Sequence, residues 1–498
     1  MTETLVARPA APPAAPPAAP PAAPPAAPPA GPPRATRREW LGLAVLALPT
    51  LLAAMDFSVL FLALPRLSAG LRPSGSQLLW ITDIYGFMVA GFLVTMGALG
   101  NRIGRRRLLT MGAAAFGLAS AAAAYSSSPG LLIGARALLG IAGATLMPST
   151  LGLISTMFRH PGQRTTAVSL WAACLLAGTA IGPVLGGVLL QFFWWGSVFL
   201  IGLPVMAVLV IAAPRLLPEH RDPAQGRLDL VSVVLSLAAV LPAVSGLKTL
   251  ARSGLTGPAV LALVAGLACG ALFVRRQRSA ASPLLDLRLF RYPAFTAAVG
   301  ILLAAGAVSG GIGFLFAQYL QLVAGLSPLR AGLWSLPDPA AMIACSLLCP
   351  LVVRRIRPGY VIGGGLAISA AGFWLLTQVH AGPGPAVAVA GVVIVFTGVT
   401  PAWVLGTDLI IGSVPAEAGG SASSVSETAS ELGFALGVAV LGSIAAAANR
   451  GQVARAVPAR QAFAYGLGTA AAVSVAVALV LALLAVILLR HARSTPSH

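Results

Sequence analysis

Five carboxylates and one guanidinium interrupt stretches of sequence that are otherwise apolar: Asp56, Asp83, Asp338, Glu427, Glu431 and Arg136. An ionised side chain at bilayer depth costs at least roughly 2.5–3.5 kcal/mol on insertion scales, so such residues are rare unless they work. Asp56 lies nine residues before Pro65, about 13 Å below the end of its helix. Asp83 lies roughly 10 Å into the returning segment, so the two are expected to face one half of a common cavity. Asp338 stands between Pro337 and Pro339, where a helix should kink and open its backbone to a cavity. Glu427 and Glu431, spaced i, i+4, project from one helix face, where two negative charges repel. A buried carboxylate can be neutralised by a proton or by an organic cation but not by both, which is proton–cation exchange in outline. Arg136 suits either a proton relay or a packing role, paired with an acid or with backbone carbonyls. Asp408, near a helix end, is expected to pair with loop arginines.

The elements that must position these groups are membrane spans. The chain has 498 residues, 57% hydrophobic and only 9% charged, with a mean hydropathy of +0.89. A soluble domain carries roughly 25% charged residues. Apolar runs near 20 residues recur from Trp40 almost to Arg490, each long enough to cross a hydrocarbon layer of roughly 30 Å. The pattern predicts an all-α polytopic membrane protein of about fourteen helices.

The net charge of +19 would suggest nucleic acid in a soluble protein, but its placement argues otherwise. Arginines cluster between apolar runs, as at Arg102, Arg105, Arg106 and Arg107, at Arg275, Arg276 and Arg278, and at Arg354, Arg355 and Arg357. With an even number of spans these clusters fall on one side, which the positive-inside rule makes cytoplasmic, together with both termini. Residues 1–39 form a Pro/Ala-rich tail whose composition forbids helix, and residues 491–498 a second short tail. No short apolar region with a cleavage site precedes Trp40, so no removable signal peptide is expected.

Other chemistries are excluded by what the spans contain. Cys174, Cys269, Cys345 and Cys349 fall inside spans, and neither a disulfide framework nor a metal site follows from them. The five histidines lie in loops or the tail, and no H-E-x-x-H occurs. Lys248, the only lysine, sits in Leu-Lys-Thr, so a phosphate-binding loop for ATP is absent. Trp171, Trp194, Trp195, Trp334, Trp374 and Trp403 could offer cation–π faces or anchor the helices at the membrane interface.

A weak internal repeat organises the spans. Gly178, Gly182 and Gly187 recur as Gly433, Gly437 and Gly442 at a constant interval of 255 residues. Gly97-x-Leu99 with Arg102 and Arg105 is echoed by Leu351 with Arg354 and Arg357 at an interval of 252. Two related halves with two helices inserted between them would produce both intervals, and duplicated halves around a midplane cavity are the build of many secondary transporters.

Four segments resemble the major facilitator superfamily, specifically its fourteen-span drug:proton antiporters of the quaternary-ammonium exporter type. They are the acidic first-span stretch from Leu52 through Asp56 to Pro65; Trp80 to Tyr85 running on to the loop Gly97, Gly100, Asn101, Arg102, Gly104, Arg105, Arg106, Arg107; Arg136 to Gly143; and Gly178, Gly182, Pro183, Gly186, Gly187. The resemblance covers essentially everything from Trp40 to Arg490. It implies a six-helix half over 40–212, two inserted helices over 213–293 and a second six-helix half over 294–490. It makes the 97–107 loop a gate and the span-five glycines with Pro183 a seal against leak. The loop departs from the family at Asn101, where the family keeps an aspartate; an amide can replace its charge contact only by hydrogen bonding. The function implied is proton-coupled efflux of lipophilic cations by alternating access across the cytoplasmic membrane. The expected partners are cationic drugs, protons and lipid, with no nucleic acid; the protein is expected to be a monomer and to need no cofactor beyond the proton gradient. Export of one dedicated compound, such as a self-made antibiotic, is the alternative within the same fold. A membrane-embedded enzyme or receptor is the alternative outside it.

Overall fold

Backbone amides find no water in hydrocarbon, so the long apolar runs can satisfy their hydrogen bonds only within helices. A computed structural model describes residues 34–219, 229–253, 256–279, 287–353, 355–380, 384–414 and 419–489, and among the described residues every regular element is helical. The first set comprises α1 (Arg37–Leu71), α2 (Gly75–Ile103), α3 (Arg105–Ala124), α4 (Pro129–Gly143), α5 (Leu146–Met157), α6 (Pro161–Phe192), α7 (Ser197–Leu200) and α8 (Gly202–Leu216). Then come α9 (Leu230–Ser253) and α10 (Gly257–Ser279). The second set comprises α11 (Pro293–Leu322), α12 (Pro328–Trp334), α13 (Pro337–Val353), α14 (Pro358–Thr377), α15 (Ala386–Gly412), α16 (Gly419–Val453) and α17 (Ala459–Leu489).

Among the described residues thirteen segments are long and apolar enough to cross a membrane, and α9 carries a shorter apolar stretch, Val231–Gly246, consistent with about fourteen spans. Two long spans are broken in the middle. One parts into α4 and α5 at Ala144 and Thr145, the other into α12 and α13 at Ser335 and Leu336. The second break falls just before Pro337-Asp338-Pro339, where two missing or constrained backbone donors prevent the helix from running through.

Local chemistry fixes the helix ends. Ser74 caps α2 by accepting from the Gln77 amide at 3.3 Å, while Gln77 Oε1 accepts from the Ser74 amide at 2.8 Å. Gly104 joins α2 to α3 at φ +105°, a backbone conformation in which a Cβ would be strained. Proline opens α4, α6, α11, α12 and α14, where its missing N–H costs nothing.

The repeat interval reappears in the packing. A Cβ on Gly178 of α6 would lie 2.5 Å from the Leu51 carbonyl of α1; its counterpart Gly433 of α16 is pressed onto the Leu303 carbonyl of α11. Gly187 of α6 packs on Leu329 of α12, a Cβ there meeting its Cα at 2.9 Å, and Gly442 of α16 packs on Leu79 of α2 at 3.3 Å. Leu51 and Leu303 are 252 residues apart, Leu79 and Leu329 250. Equivalent helix pairs thus meet within each set, and each set sends one glycine-bearing helix against the other. Close backbone approach through small residues is how helices associate where lipid gives no hydrophobic drive. The α9–α10 pair packs outside this duplication, α9 lying against α2 and α16 through Val244, Phe87, Ala435 and Ala439.

Candidate functional site

Arg136 on α4 is fully buried, which only a set of partners can support. Its Nη1 donates to Asp56 Oδ2 on α1 at 2.6 Å, and its Nε donates to the Ile81 carbonyl of α2 at 3.3 Å. The guanidinium lies over the Tyr85 ring at 4.7 Å and near the Phe199 ring at 5.9 Å. The side chain of Asp56 is 14% exposed. The void it lines, beside Met55, Phe116, Ser120 and Phe199, holds about 10 Å³, the lower limit for a single water. In this conformation, then, Asp56 is committed to Arg136 and that void has no room for an organic molecule.

Asp83 does not share that pocket, contrary to the expectation from depth. It is 1% exposed and accepts a hydrogen bond from Thr82 Oγ1 at 3.1 Å. Trp80, Asp83 and Phe87 follow at i, i+3, i+7 and so share one face of α2. Phe87 on that face packs on α9 and α16. Tyr85, on the other side of the helix, is the residue turned to Arg136. Depth alone could not distinguish the two because they differ in rotation about the helix, not in height.

Glu427 and Glu431 stand one turn apart on α16, both half-buried and neither in an ion pair among the described residues. Glu431 Oε2 is shut off from solvent with no hydrogen-bond partner there. Asp338 occupies the first turn of α13, half-buried, again without an ion pair among the described residues. Asp408 is exposed and pairs with none of the described arginines, so the expected loop contact is not made. Tyr85 lies within electrostatic reach of Asp56, Arg136 and Glu431 alike.

An aromatic cluster sits just beyond these groups. The Phe61 ring of α1 meets Phe314 of α11 edge-on at 5.6 Å and stacks on Phe434 of α16 at 6.2 Å. Asp56 is five residues from Phe61, about 7 Å along its helix, and Glu431 three residues from Phe434, about 4–5 Å. Beyond the rings Gln321 Nε2 of α11 donates to the Leu62 carbonyl at 2.8 Å. These contacts, with Gly187 on α12 and Gly332 on the Pro183 carbonyl, join the two sets at the end opposite the α2–α3 joint. The sequence marked the acids but not Tyr85, Phe61, Phe314 or Phe434, because aromatic residues in apolar spans carry no signal that separates lining from filling.

The loop residues tie α2 and α3 to their neighbours. The Arg105 guanidinium lies against Gly152 of α5, which only a glycine there permits. Arg106 pairs with Glu219 at 3.2 Å and donates to the Leu217 carbonyl at 3.1 Å, anchoring the end of α8. A Cβ on Gly97 would lie 3.6 Å from Pro148 and one on Gly100 3.2 Å from Leu108, and Arg102 is exposed. The side chain of Asn101 lies outside the described ones. In the span-five motif a Cβ on Gly186 would come within 2.8 Å of Val59, and Gly182 and Pro183 are buried.

A buried arginine–carboxylate pair in a duplicated helical bundle is the setting in which comparison with known proteins decides the family. The Major Facilitator Superfamily pattern matches residues 46–438. The chain belongs to the Major Facilitator Superfamily. Among relatives in that superfamily, the multidrug efflux pump LfrA of Mycolicibacterium smegmatis is 46% identical over 84% of this chain and 83% of the relative. The methyl viologen resistance protein SmvA of Salmonella typhimurium is 36% identical over 81% of this chain and 82% of its own length. Among solved structures, the peptide-transporter-family protein PepTSo superposes with a TM-score of 0.68 at 14% identity, covering 93% of this chain and all of that one, a likeness of fold alone. The chain is therefore a multi-pass transporter of this superfamily.

Proposed function

We propose that this transporter is a proton-coupled efflux antiporter for lipophilic organic cations, working by alternating access. The observation that carries the reading is the set of charges within reach of Tyr85: one carboxylate engaged by a buried arginine, and a half-buried carboxylate with no ion partner among the described residues. Glu431, with Glu427 one turn away, is the group a hydrophobic cation would neutralise. Asp56 is the group through which a proton would act, since protonation removes the charge that holds Arg136. Freed, the guanidinium has only the Ile81 carbonyl and two ring faces, and the helices carrying these groups, α1, α2 and α4, gain a reason to shift. Asp83 and Asp338, 255 residues apart and each on the second span of its set, are assigned as further protonation sites.

The two sets, over 40–212 and 294–490, would rock about this site, with α9 and α10 moving as a unit beside them. The arginine clusters support a cytoplasmic position for the α2–α3 joint and both tails, in the inner membrane. The conformation described is then closed toward the outside, the Phe61–Phe314–Phe434 cluster being the seal. The name of SmvA, a methyl viologen resistance protein, supports a cationic substrate, and that of LfrA, a multidrug efflux pump, supports breadth. Membrane potential adds roughly 2.3 kcal/mol per charge per 100 mV, so the net charge moved per cycle sets how far the cation can be concentrated.

The test is proton release from the detergent-solubilised protein on adding tetraphenylphosphonium or ethidium in weak buffer. Release by the native chain, and its loss in Glu431→Gln, is expected. A native chain that binds either cation without releasing protons is not an antiporter of this kind, and a chain that binds neither cation but one unrelated compound is a dedicated exporter.

A further inference from the structure

A groove of about 940 Å³ runs between α9, α10 and α16, away from the site above. Its walls are apolar, with Ala239 and Ala243 from α9, Leu267 and Ala271 from α10, and Leu432 and Leu436 from α16. One end is different. Arg275, Arg278 and Ser279 line it there, all exposed.

The guanidinium groups of Arg275 and Arg278 are not held by any of the described residues. Their neighbour Arg276 grips Asp229, with Nη2 to Oδ1 at 2.7 Å and Nε to Oδ2 at 2.9 Å. That hydrogen-bonded guanidinium holds the Asp229 carboxyl down at about 2, so the pair persists throughout the physiological range. Gln277 Nε2 donates to Ser232 Oγ at 2.7 Å from a buried position. Arg276 and Gln277 thus clamp α10 to the start of α9, while the guanidinium groups of Arg275 and Arg278 have no hydrogen-bond or ion partner among the described residues.

We propose that this groove is a binding site for an anionic phospholipid, the phosphate on Arg275 and Arg278 and an acyl chain along α9, α10 and α16. Leu267, Ala271, Arg275 and Arg278 form one stripe of α10, at i, i+4, i+8 and i+11. From Leu267 to Arg278 the stripe is about 16 Å long, half a hydrocarbon core of roughly 30 Å and so the depth of one leaflet. Basic residues at the headgroup level of an apolar cleft between spans are the chemistry that selects an anionic lipid. Two unpaired guanidinium groups repel an organic cation, so the groove is not an entry port for the substrate proposed above; an inorganic anion would leave the apolar walls uncovered. Because Leu432 immediately follows Glu431 on α16, an occupant bears on the helix that carries the acids.

The experiment reads binding rather than transport, so it stands whether or not the antiport reading does. The full chain is reconstituted with equal dioleoyl phosphatidylglycerol and dioleoyl phosphatidylethanolamine, extracted, and weighed by native mass spectrometry. One retained phosphatidylglycerol, preferred about tenfold, is expected for the native protein. Arg275→Gln/Arg278→Gln should abolish the preference. Gly270→Leu, whose Cβ would meet only Ala239 at 3.8 Å, should lower retention of both lipids by filling the groove. Arg37→Gln/Arg159→Gln, which removes the same charge from exposed positions elsewhere, should leave the preference unchanged. Equal retention of the two lipids by the native chain overturns the proposal, and so does an equal loss of preference in the Arg37/Arg159 variant.

Discussion

Asp56 and Glu431 are both buried carboxylates, yet removing the charge of each has opposite consequences for stability. Asp56→Asn strips the anion from a fully buried Arg136, and an uncompensated buried charge costs about 3–5 kcal/mol. Glu431→Gln removes a charge that has no ion partner among the described residues, so it relieves desolvation instead of creating it. The expectation is a lower melting temperature for Asp56→Asn in detergent and an unchanged or higher one for Glu431→Gln. Cation efflux from vesicles should fall in both, by about tenfold or more, the loss of a charged contact of about 1.5–3 kcal/mol. A destabilised Glu431→Gln protein would mean that the glutamate is held by a structural partner. The acids themselves were legible in the sequence because charge in an apolar run is conspicuous. Their division into paired and unpaired was not, since Arg136 sits at a similar depth to several carboxylates and only helix rotation selects Asp56.

At the scale of the helices, the small residues do two different jobs. Gly437 of α16 is pressed onto the Ala307 carbonyl of α11, inside one set. Gly332 of α12 is pressed onto the Pro183 carbonyl of α6, between the sets. Valine at either position forces backbones apart and costs at least about 1–3 kcal/mol where the pair must stay together. Gly437→Val should therefore unfold the protein at lower temperature. Gly332→Val should leave melting nearly unchanged but loosen the outer closure, read as faster labelling, by an impermeant thiol reagent, of a cysteine introduced at Phe434. If Gly332→Val melts as low as Gly437→Val, the α6–α12 contact is part of the folded core and not a separable seal. The 255-residue glycine interval is matched by the twin arrangement of α1 on α6 and α11 on α16, whereas Gly332 lies outside that repeat and its contact was not legible in the sequence. The breaks were only half foreseen. Pro337 and Pro339 signal the one before Asp338, while the interruption at Ala144 and Thr145 traces to Pro148, whose missing N–H leaves the Ala144 carbonyl without its helical donor but whose place inside a long apolar run hides the break.

For the whole molecule, the question is how two sets of helices with a common build are held closed at one end only. The aromatic stack and the Gln321–Leu62 hydrogen bond bridge α1 with α11 and α16 on the side away from the arginine-rich joint. Interfaces of packed side chains are bistable rather than compliant, so opening that end requires Phe61 to leave Phe314 and Phe434 together. Tethering the ends should therefore stop the cycle without disturbing the site. In a chain whose native cysteines, Cys174, Cys269, Cys345 and Cys349, are replaced by alanine or serine, Leu62→Cys/Gln321→Cys bridged by a short bifunctional thiol reagent should lose efflux. Tetraphenylphosphonium binding from the arginine-rich side should be retained, and a cleavable linker should restore transport when cut. Undiminished efflux with the bridge in place would mean that the outer ends of α1 and α11 do not separate, and that the exit path lies elsewhere in the bundle.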